Sequence, residues 1–284
     1  MTCCDDMTEC KSVRERARYF QGQLLGIADL VAEQEYWLER MRSHNRIAHG
    51  WGVICGLSVE LARDPDETND PANTTVTVCP GYALSPQGEE ILLEECATID
   101  VATALETPDS FDDDGPLKSV MTTNINERPV TLFVAVRYTE RLARPVPMPD
   151  RGVDESAFEF SRIRSSYELK ILHVLPQSHT QSAAAQLAWQ STWKQWVAAN
   201  SLGGANREPR GLPVPPCPPR PVDSWVVLAG VRLVKVDKAL RIDAIDFAPR
   251  RVLWPAWAVQ SVAPVCTENL IRVDEAMESP KLAE

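Results

Sequence analysis

The sequence is poor in histidine and lacks the familiar catalytic motifs. Only four histidines occur in 284 residues, so a hydrolytic triad would have to use His173 or His179 at the end of a predicted strand. No Gly-x-Ser-x-Gly elbow, phosphate-binding loop, dinucleotide fingerprint or His-Glu-x-x-His helix is present. Glu89 and Glu90 fall in a predicted strand, where adjacent side chains point to opposite faces and cannot flank one substrate bond. These absences predict a protein that is not an enzyme and needs no cofactor.

The chain also lacks an excess of positive charge and any long apolar run. It has 29 Lys and Arg residues against 40 Asp and Glu residues, a formal net charge of -11, and it shows no basic patch that would overcome repulsion from a nucleic-acid backbone. No run approaches the roughly 20 apolar residues that a bilayer crossing requires. The first residues lack the basic flank and apolar stretch of a secretory signal. We therefore expect no nucleic-acid partner, no direct membrane span, and assembly in the cytoplasm.

Cys-x-x-Cys pairs, which are typical of structural zinc sites, are absent too. The eight cysteines are spread too widely in a chain of this length to indicate a disulfide framework, so most are expected to be reduced thiols. Cys3, Cys4 and Cys10 could hold a structural zinc with a fourth ligand. A metal site there is the weaker prediction, because adjacent cysteines without a Cys-x-x-Cys pair are weak evidence for one, and a polar terminus or an intersubunit contact is favoured. It leaves a metal-dependent enzyme as a second alternative for the function.

A further set with metal-ligating side chains is formed by His44, His49 and Cys55, which lie within twelve residues. Their spacing fits no familiar zinc site. His44 is predicted to end a helix, where its partial charge meets exposed carbonyls, and His49 to begin a glycine turn. Structural roles at the helix end are therefore favoured.

Among the features that are present, apolar residues recur at helical spacing from Asp29 to about Arg46. Asp29 is placed to cap this helix, and Gly50 to end it. Tyr36 and Trp37 lie beside the apolar stripe and would form an aromatic contact line for another element or another subunit. The stripe, interrupted only by Gln34, consists of Ile27, Leu30, Val31, Leu38 and Met41.

From residue 53 the pattern changes to short strands, which predicts a β-rich α+β fold with mostly short antiparallel strands, an N-terminal helix and an inserted Trp-rich helix. Residues 1–106 are predicted to form the helix and a small β module, 107–128 an acidic and polar linker, 129–254 a second β-rich domain, and 255–284 a C-terminal tail. The predicted strands of the first module are 53–61, 75–79, 82–84 and 91–93.

The second domain is predicted to contain two strands, 130–138 and 167–174, separated by an excursion over 142–164 that suits an interface loop. A packed, Trp-rich helix is predicted over 182–199. Seven of the thirteen residues over 209–221 are proline, which favours an extended crossing segment. A hairpin over 225–247 is predicted to close the domain.

One signature spans residues 18–91. It reads RYFQGQLL from Arg18, HNRxxHGWGVxCGLxV from His44, and PGYALxxxGxEI from Pro80. Its order and spacing resemble an adaptor-like module found among phage-tail and contractile-injection-system proteins, which are building blocks of injection machines. Segments 166–176 and 225–251 are similar to such proteins less specifically.

The resemblance implies a non-enzymatic structural subunit of a phage-tail-like contractile injection particle, at its baseplate, spike-surrounding or fibre-attachment region. Its partners would be other particle subunits (baseplate, spike, tube or fibre proteins), and it would be an oligomer in the assembly. The alternative is a carbohydrate- or surface-binding attachment module, in which tryptophans of the tail or of the 142–164 excursion form a platform on a β scaffold. Large aromatic rings dominate subunit contacts, so the interface candidates are Tyr19, Phe20, Tyr36, Trp37, Trp254 and Trp257.

Overall fold

A computed structural model describes residues 15–62, 74–103, 129–147, 158–201, 213–218, 221–236, 239–255 and 258. These residues confirm the predicted α+β class, since they form three antiparallel sheets and two long helices. The predicted linker 107–128, the N-terminal cysteines and Trp257 lie outside the described residues.

The N-terminal helix α1 spans Ile27–His44. It begins two residues earlier than predicted, because Gly26 is the N-cap and donates its backbone N–H to Asp29 Oδ2 at 2.9 Å. Asp29 therefore caps the helix from its third position and not from its boundary. After His44 the backbone continues as a single π-helical turn, Asn45–His49, which Gly50 ends with a φ of 83°.

Two small three-stranded sheets follow, with strand orders β1-β4-β5 and β2-β3-β6. The single strand predicted over 53–61 is two strands, because Gly56 and Leu57 take left-handed φ values of 60° and 53° and turn the chain between them. Strand β6 was not predicted. The strands are β1 Gly52–Gly56, β2 Val59–Leu61, β3 Thr75–Val78, β4 Gly81–Leu84, β5 Glu90–Leu93 and β6 Ala97–Asp100.

The third sheet has the order β10-β9-β7-β8, with β7 Val130–Pro147, β8 Phe158–Leu172, β9 Val226–Val236 and β10 Ala239–Asp246. The antiparallel pairing of β9 with β10 confirms the predicted hairpin. The loop predicted over 142–164 is wrong for most of its length, because β7 and β8 stay paired out to Pro147 and Phe158. Solvent covers both faces of this extension, so the alternation that marks a half-buried strand is missing from its sequence.

The second helix, α2, spans Gln177–Ser201 and starts five residues before its predicted boundary. Its predicted packing in the interior is wrong, because Ser178 and His179 are its only buried residues among those whose side chains are described. Beyond them, Trp193 is 41% exposed and stacks on Trp196 with ring centroids 5.3 Å apart. The tryptophans of α2 therefore pack along the helix itself.

Buried apolar side chains from all three sheets form one core. Val53, Val76 and Ile91 of the small sheets join Val134 and Leu228 of the larger sheet in this cluster. Full burial of such a side chain contributes about 1.5–3 kcal/mol to the free energy of unfolding. No helix within the described ranges is long and apolar enough to cross a membrane.

Candidate functional site

The signature segments meet where α1 ends, and the π turn makes the first of their contacts. Asn45 begins this turn and is buried. Its Nδ2 donates a 3.0 Å hydrogen bond to the carbonyl oxygen of Gly88, 43 positions along the chain. The second and third parts of the signature are thus joined by a buried side chain whose loss would leave a carbonyl unpaired.

Gly88 itself has a steric reason to be glycine. Its φ is 90°, in the left-handed region that other residues avoid. A Cβ at this position would overlap the carbonyl oxygen of Arg42 and lie 2.8 Å from the carbonyl carbon. The turn before β5 therefore packs directly on the backbone of the last turn of α1.

An ion pair reinforces the same contact. Arg42 Nη2 lies 3.3 Å from Glu89 Oε1, and the Glu89 side chain is only 12% exposed. Burial raises the pKa of the Glu89 carboxyl, while the charge of Arg42 and a hydrogen bond from Ser85 oppose that rise. Arg42 Nη2 also lies 3.7 Å from Glu140 of β7. The end of α1 is thereby tied to the turn before β5 and to β7.

Trp51, in the middle of the signature, connects α1 to α2. Its Nε1 donates to Ser182 Oγ at 3.2 Å, and its ring meets the ring of His179 edge-on with centroids 4.7 Å apart. His179 Nε2 in turn accepts the backbone N–H of Val227 at 3.1 Å. Burial lowers the pKa of His179 to about 4, so the imidazole is neutral at pH 7 and free to accept this hydrogen bond.

Two arginines from the C-terminal part of the chain close the site. Arg251 Nε donates to the carbonyl oxygen of Trp51 at 2.9 Å, and its guanidinium carbon lies 4.9 Å from the centroid of the Trp51 ring. Arg250 donates to the carbonyl oxygens of Gly56 and Leu57. Burial lowers the pKa of both guanidinium groups from the ordinary arginine value, and their bonds to backbone carbonyls compensate that burial.

The backbone around Arg251 pairs with β1 as well. Val53 N–H donates to Arg251 O and Leu253 N–H donates to Val53 O, each at 2.8 Å. We call this set of contacts the junction, comprising Arg42, Asn45, Trp51, Gly88, Glu89, His179, Arg250 and Arg251.

The polar groups of the junction bond to one another, to backbone and to the side chains of Ser85, Glu140 and Ser182. No three His, Cys, Asp or Glu side chains within the described ranges are grouped so as to hold a metal ion. His44 and His49 stack edge to face with centroids 5.0 Å apart. They occupy the helix end and the residue before Gly50, where the sequence placed them.

The junction holds α1 only by its last turns. Ser43 is its only buried residue, and the predicted apolar stripe faces solvent, with Ile27 82%, Leu30 51% and Met41 55% exposed. The described part of the chain therefore leaves about half of Leu30 and Met41 and most of Ile27 uncovered. The helix presents an apolar surface of a kind that monomeric proteins seldom leave uncovered.

The interface candidates are distributed over two regions. Phe20 is 67% exposed, Trp37 is 49% exposed and Trp254 is 59% exposed. Tyr36 is half-buried and meets the Trp37 ring edge-on at 5.3 Å, and Tyr19 donates a short hydrogen bond to Glu33 of α1. The segment that contains Tyr19 and Phe20 thus lies beside α1, whereas Trp254 directly follows Leu253, whose backbone bonds to β1.

Arg42 and Ser182 were not considered from the sequence, and Glu89 and His179 were considered only for catalytic roles. Glu89 was predicted to lie in a strand together with Glu90, but it lies one residue before β5, where its backbone N–H donates to Ser85 Oγ at 3.0 Å. The sequence feature that could have pointed to Glu89 is its position next to Gly88 in the signature. His179 and Ser182 carry no comparable signal, because only the folded chain brings α2 to Trp51.

No family model matches this chain, and no curated protein matches it. A search of solved structures returned a chain of the type VI secretion system TssK-TssF-TssG baseplate subcomplex, determined by cryo-electron microscopy, with a TM-score of 0.33 and 11% sequence identity. The match covers 81% of this chain and 60% of that chain. At this TM-score the two chains share too little geometry for the likeness to indicate a common fold.

Proposed function

We propose that this chain is a non-enzymatic structural subunit of a phage-tail-like contractile injection particle, in the baseplate, spike-surrounding or fibre-attachment region. The observation that supports the proposal is the signature over residues 18–91, whose second and third parts fold into the junction at the end of α1. A rigid junction that carries an uncovered apolar helix suits a protein whose activity is assembly.

The surface that would contact a particle subunit is the apolar face of α1. Leu30, Trp37 and Met41 fall within about 40° of one another around the helix axis, because the helix turns about 100° per residue. Each is about half exposed, at 51%, 49% and 55%. Full burial of an exposed apolar side chain contributes about 1.5–3 kcal/mol, so covering the exposed half of each contributes roughly half of that, and tryptophan is among the residues that dominate binding energy at protein interfaces.

The proposal is tested by isolating particles from the native source by sedimentation and searching the fractions for this chain, with tube and sheath proteins as markers. We expect the chain to co-sediment with the particle. If it stays at the top of the gradient as a soluble species, the particle role is wrong. A glycan array with the Trp254→Ala variant would then test the surface-binding alternative.

A paired variant tests the role of α1 in the same assay. Replacing Leu30 and Met41 by Gln keeps helix propensity nearly constant and changes apolar side chains that are 51% and 55% exposed. We expect incorporation into particles to be lost while the unfolding midpoint stays within about 2 °C of the wild type. Glu35→Gln, an exposed change on the same helix, is the control and should incorporate normally. Normal incorporation of the Leu30 and Met41 variant would contradict a docking role for this face.

A further inference from the structure

Strands β7 and β8 continue beyond the third sheet as a two-stranded ribbon. Strand β9 pairs with β7 only over Val130–Val136, whereas β7 and β8 remain paired from Glu140 and Ser165 out to Pro147 and Phe158. We call residues 140–147 and 158–165 the arm. Its length is about 23 Å at roughly 3.3 Å per residue, and all of its residues except Ala143 are exposed.

One face of the arm concentrates positive charge. The register places Arg141 directly opposite Arg164, and Arg162 comes next along the same face. Like charges directly opposite each other destabilise an antiparallel pair. Phe160 and Phe158 follow on this face towards the tip, at 50% and 57% exposed. The arm therefore presents arginines and aromatic rings to solvent at a cost in its own stability, which a negatively charged partner would offset.

A groove of the opposite charge lies at the base of the arm. It is a cavity of about 430 Å³ between β5 and β8, lined by Glu90, Leu92, Glu94, Glu95 and Tyr167 among others, and none of its lining residues is basic. Both bordering strands are edges of their sheets, because β5 pairs only with β4 and β8 only with β7 within the described chain. An open strand edge is a template for pairing with an extended segment.

We propose that the arm of one copy of this chain docks into the groove of a second copy. The charges are complementary, since the arginines of the arm would face the carboxylates of Glu90, Glu94 and Glu95. The arm begins at the rim of the groove, at Ser165, and runs away from it, so it does not fill the groove of its own chain. Because arm and groove are different surfaces, the contact is head-to-tail and builds a ring or an open filament of copies. This goes beyond the proposed function, since it needs only copies of this chain.

Sedimentation velocity of the purified full chain tests the proposal over a wide concentration range. We expect the wild type to associate as its concentration rises, and to associate less at about 0.5 M salt than at about 0.05 M, because salt screens exposed charges. An arm variant (Arg162→Gln with Arg164→Gln) and a groove variant (Glu94→Gln with Glu95→Gln) should each weaken association at least tenfold. The matched controls, Arg16→Gln with Arg241→Gln and Glu15→Gln with Glu60→Gln, change exposed charges elsewhere and should associate like the wild type.

Mixing the two neutralised variants separates this contact from others. One copy then has an intact arm and the other an intact groove, so an equimolar mixture should form a 1:1 dimer that grows no further. Circular dichroism and unfolding midpoints equal to the wild type would show that each variant is folded. A wild type that remains monomeric overturns the proposal. If such a monomer binds an added arginine-rich peptide, the groove serves a cationic partner other than a second copy of this chain, and the proposal is still wrong. Undiminished association of the groove variant, or a mixture without dimers, overturns it as well.

Discussion

Replacement of Gly88 by alanine is the sharpest perturbation of the junction, because two separate effects meet at this residue. Its φ of 90° is one that an alanine adopts only with strain. The added Cβ would also overlap the backbone carbonyl of Arg42. Backbone cannot rotate out of the way as a side chain can, so the turn and the end of α1 must separate.

The magnitude follows from these contacts. A left-handed conformation costs a non-glycine residue about 1–2 kcal/mol. Separation of the turn from the helix also breaks the bond from Asn45 Nδ2 to Gly88 O, and a buried polar group left without a partner costs about 1–3 kcal/mol. The sum is about 2–5 kcal/mol, a large share of the 5–15 kcal/mol that is typical of a folded domain.

Gly22→Ala is the matched control. Gly22 has a similar φ of 84°, but an added Cβ there meets nothing within 4 Å. This exposed segment can also rearrange locally, so we expect its substitution to cost no more than about 1 kcal/mol. Urea unfolding followed by tryptophan fluorescence measures both variants. If Gly88→Ala loses no more stability than Gly22→Ala, the turn does not pack on the helix end as described.

Two further predictions concern Trp51 and its neighbours. The pKa of His179 falls from 6.5 unfolded to about 4 folded, so its contribution to stability is present above pH 6.5 and lost as pH falls towards 4; the loss approaches about 3 kcal/mol at 1.36 kcal/mol per unit. His179→Gln keeps an acceptor for the Val227 N–H. The free energy of unfolding of this variant, measured from pH 7 to pH 4, should decline less steeply than that of the wild type. An unchanged decline would assign the pH dependence to other groups. Arg251→Met should lower the free energy of unfolding by about 1–3 kcal/mol through loss of the hydrogen bond to Trp51 O and of the contact with its ring. Arg241→Met, an exposed change on β10, is the control, and equal midpoints for the two variants in urea would contradict the role of Arg251.

The local elements were predicted well from the sequence, because their signals are local. Apolar spacing and the glycines at 50 and 52 located α1 to within two residues at each end. Alternating patterns located most of the short strands and the β9–β10 hairpin. The failures at 142–164 and in α2 share one cause, since both elements extend into solvent and their apolar residues do not face the core. Periodicity reports which face is apolar and not what covers it.

The junction was beyond prediction for a different reason. The signature brought Asn45 and Gly88 to attention, but their contact depends on a π turn that shifts the helix end. The bonds from Arg251 to Trp51 span 200 positions, and no pattern within a window of the sequence reports them. Tyr19, Phe20, Tyr36, Trp37 and Trp254 remain predictions as interface residues.

The pairing of β1 with Arg251 and Leu253 has a consequence for the newly made chain. Ribosomes add about 5–20 residues per second, so a gap of 200 positions corresponds to about 10–40 s of translation. During that interval one edge of β1 and the ring of Trp51 lack their contacts with Arg251 and Leu253. A chain truncated before residue 250 never forms these contacts. Completion of the signature module thus depends on translation through residue 253, which would keep chains that terminate earlier from presenting a finished junction to any partner.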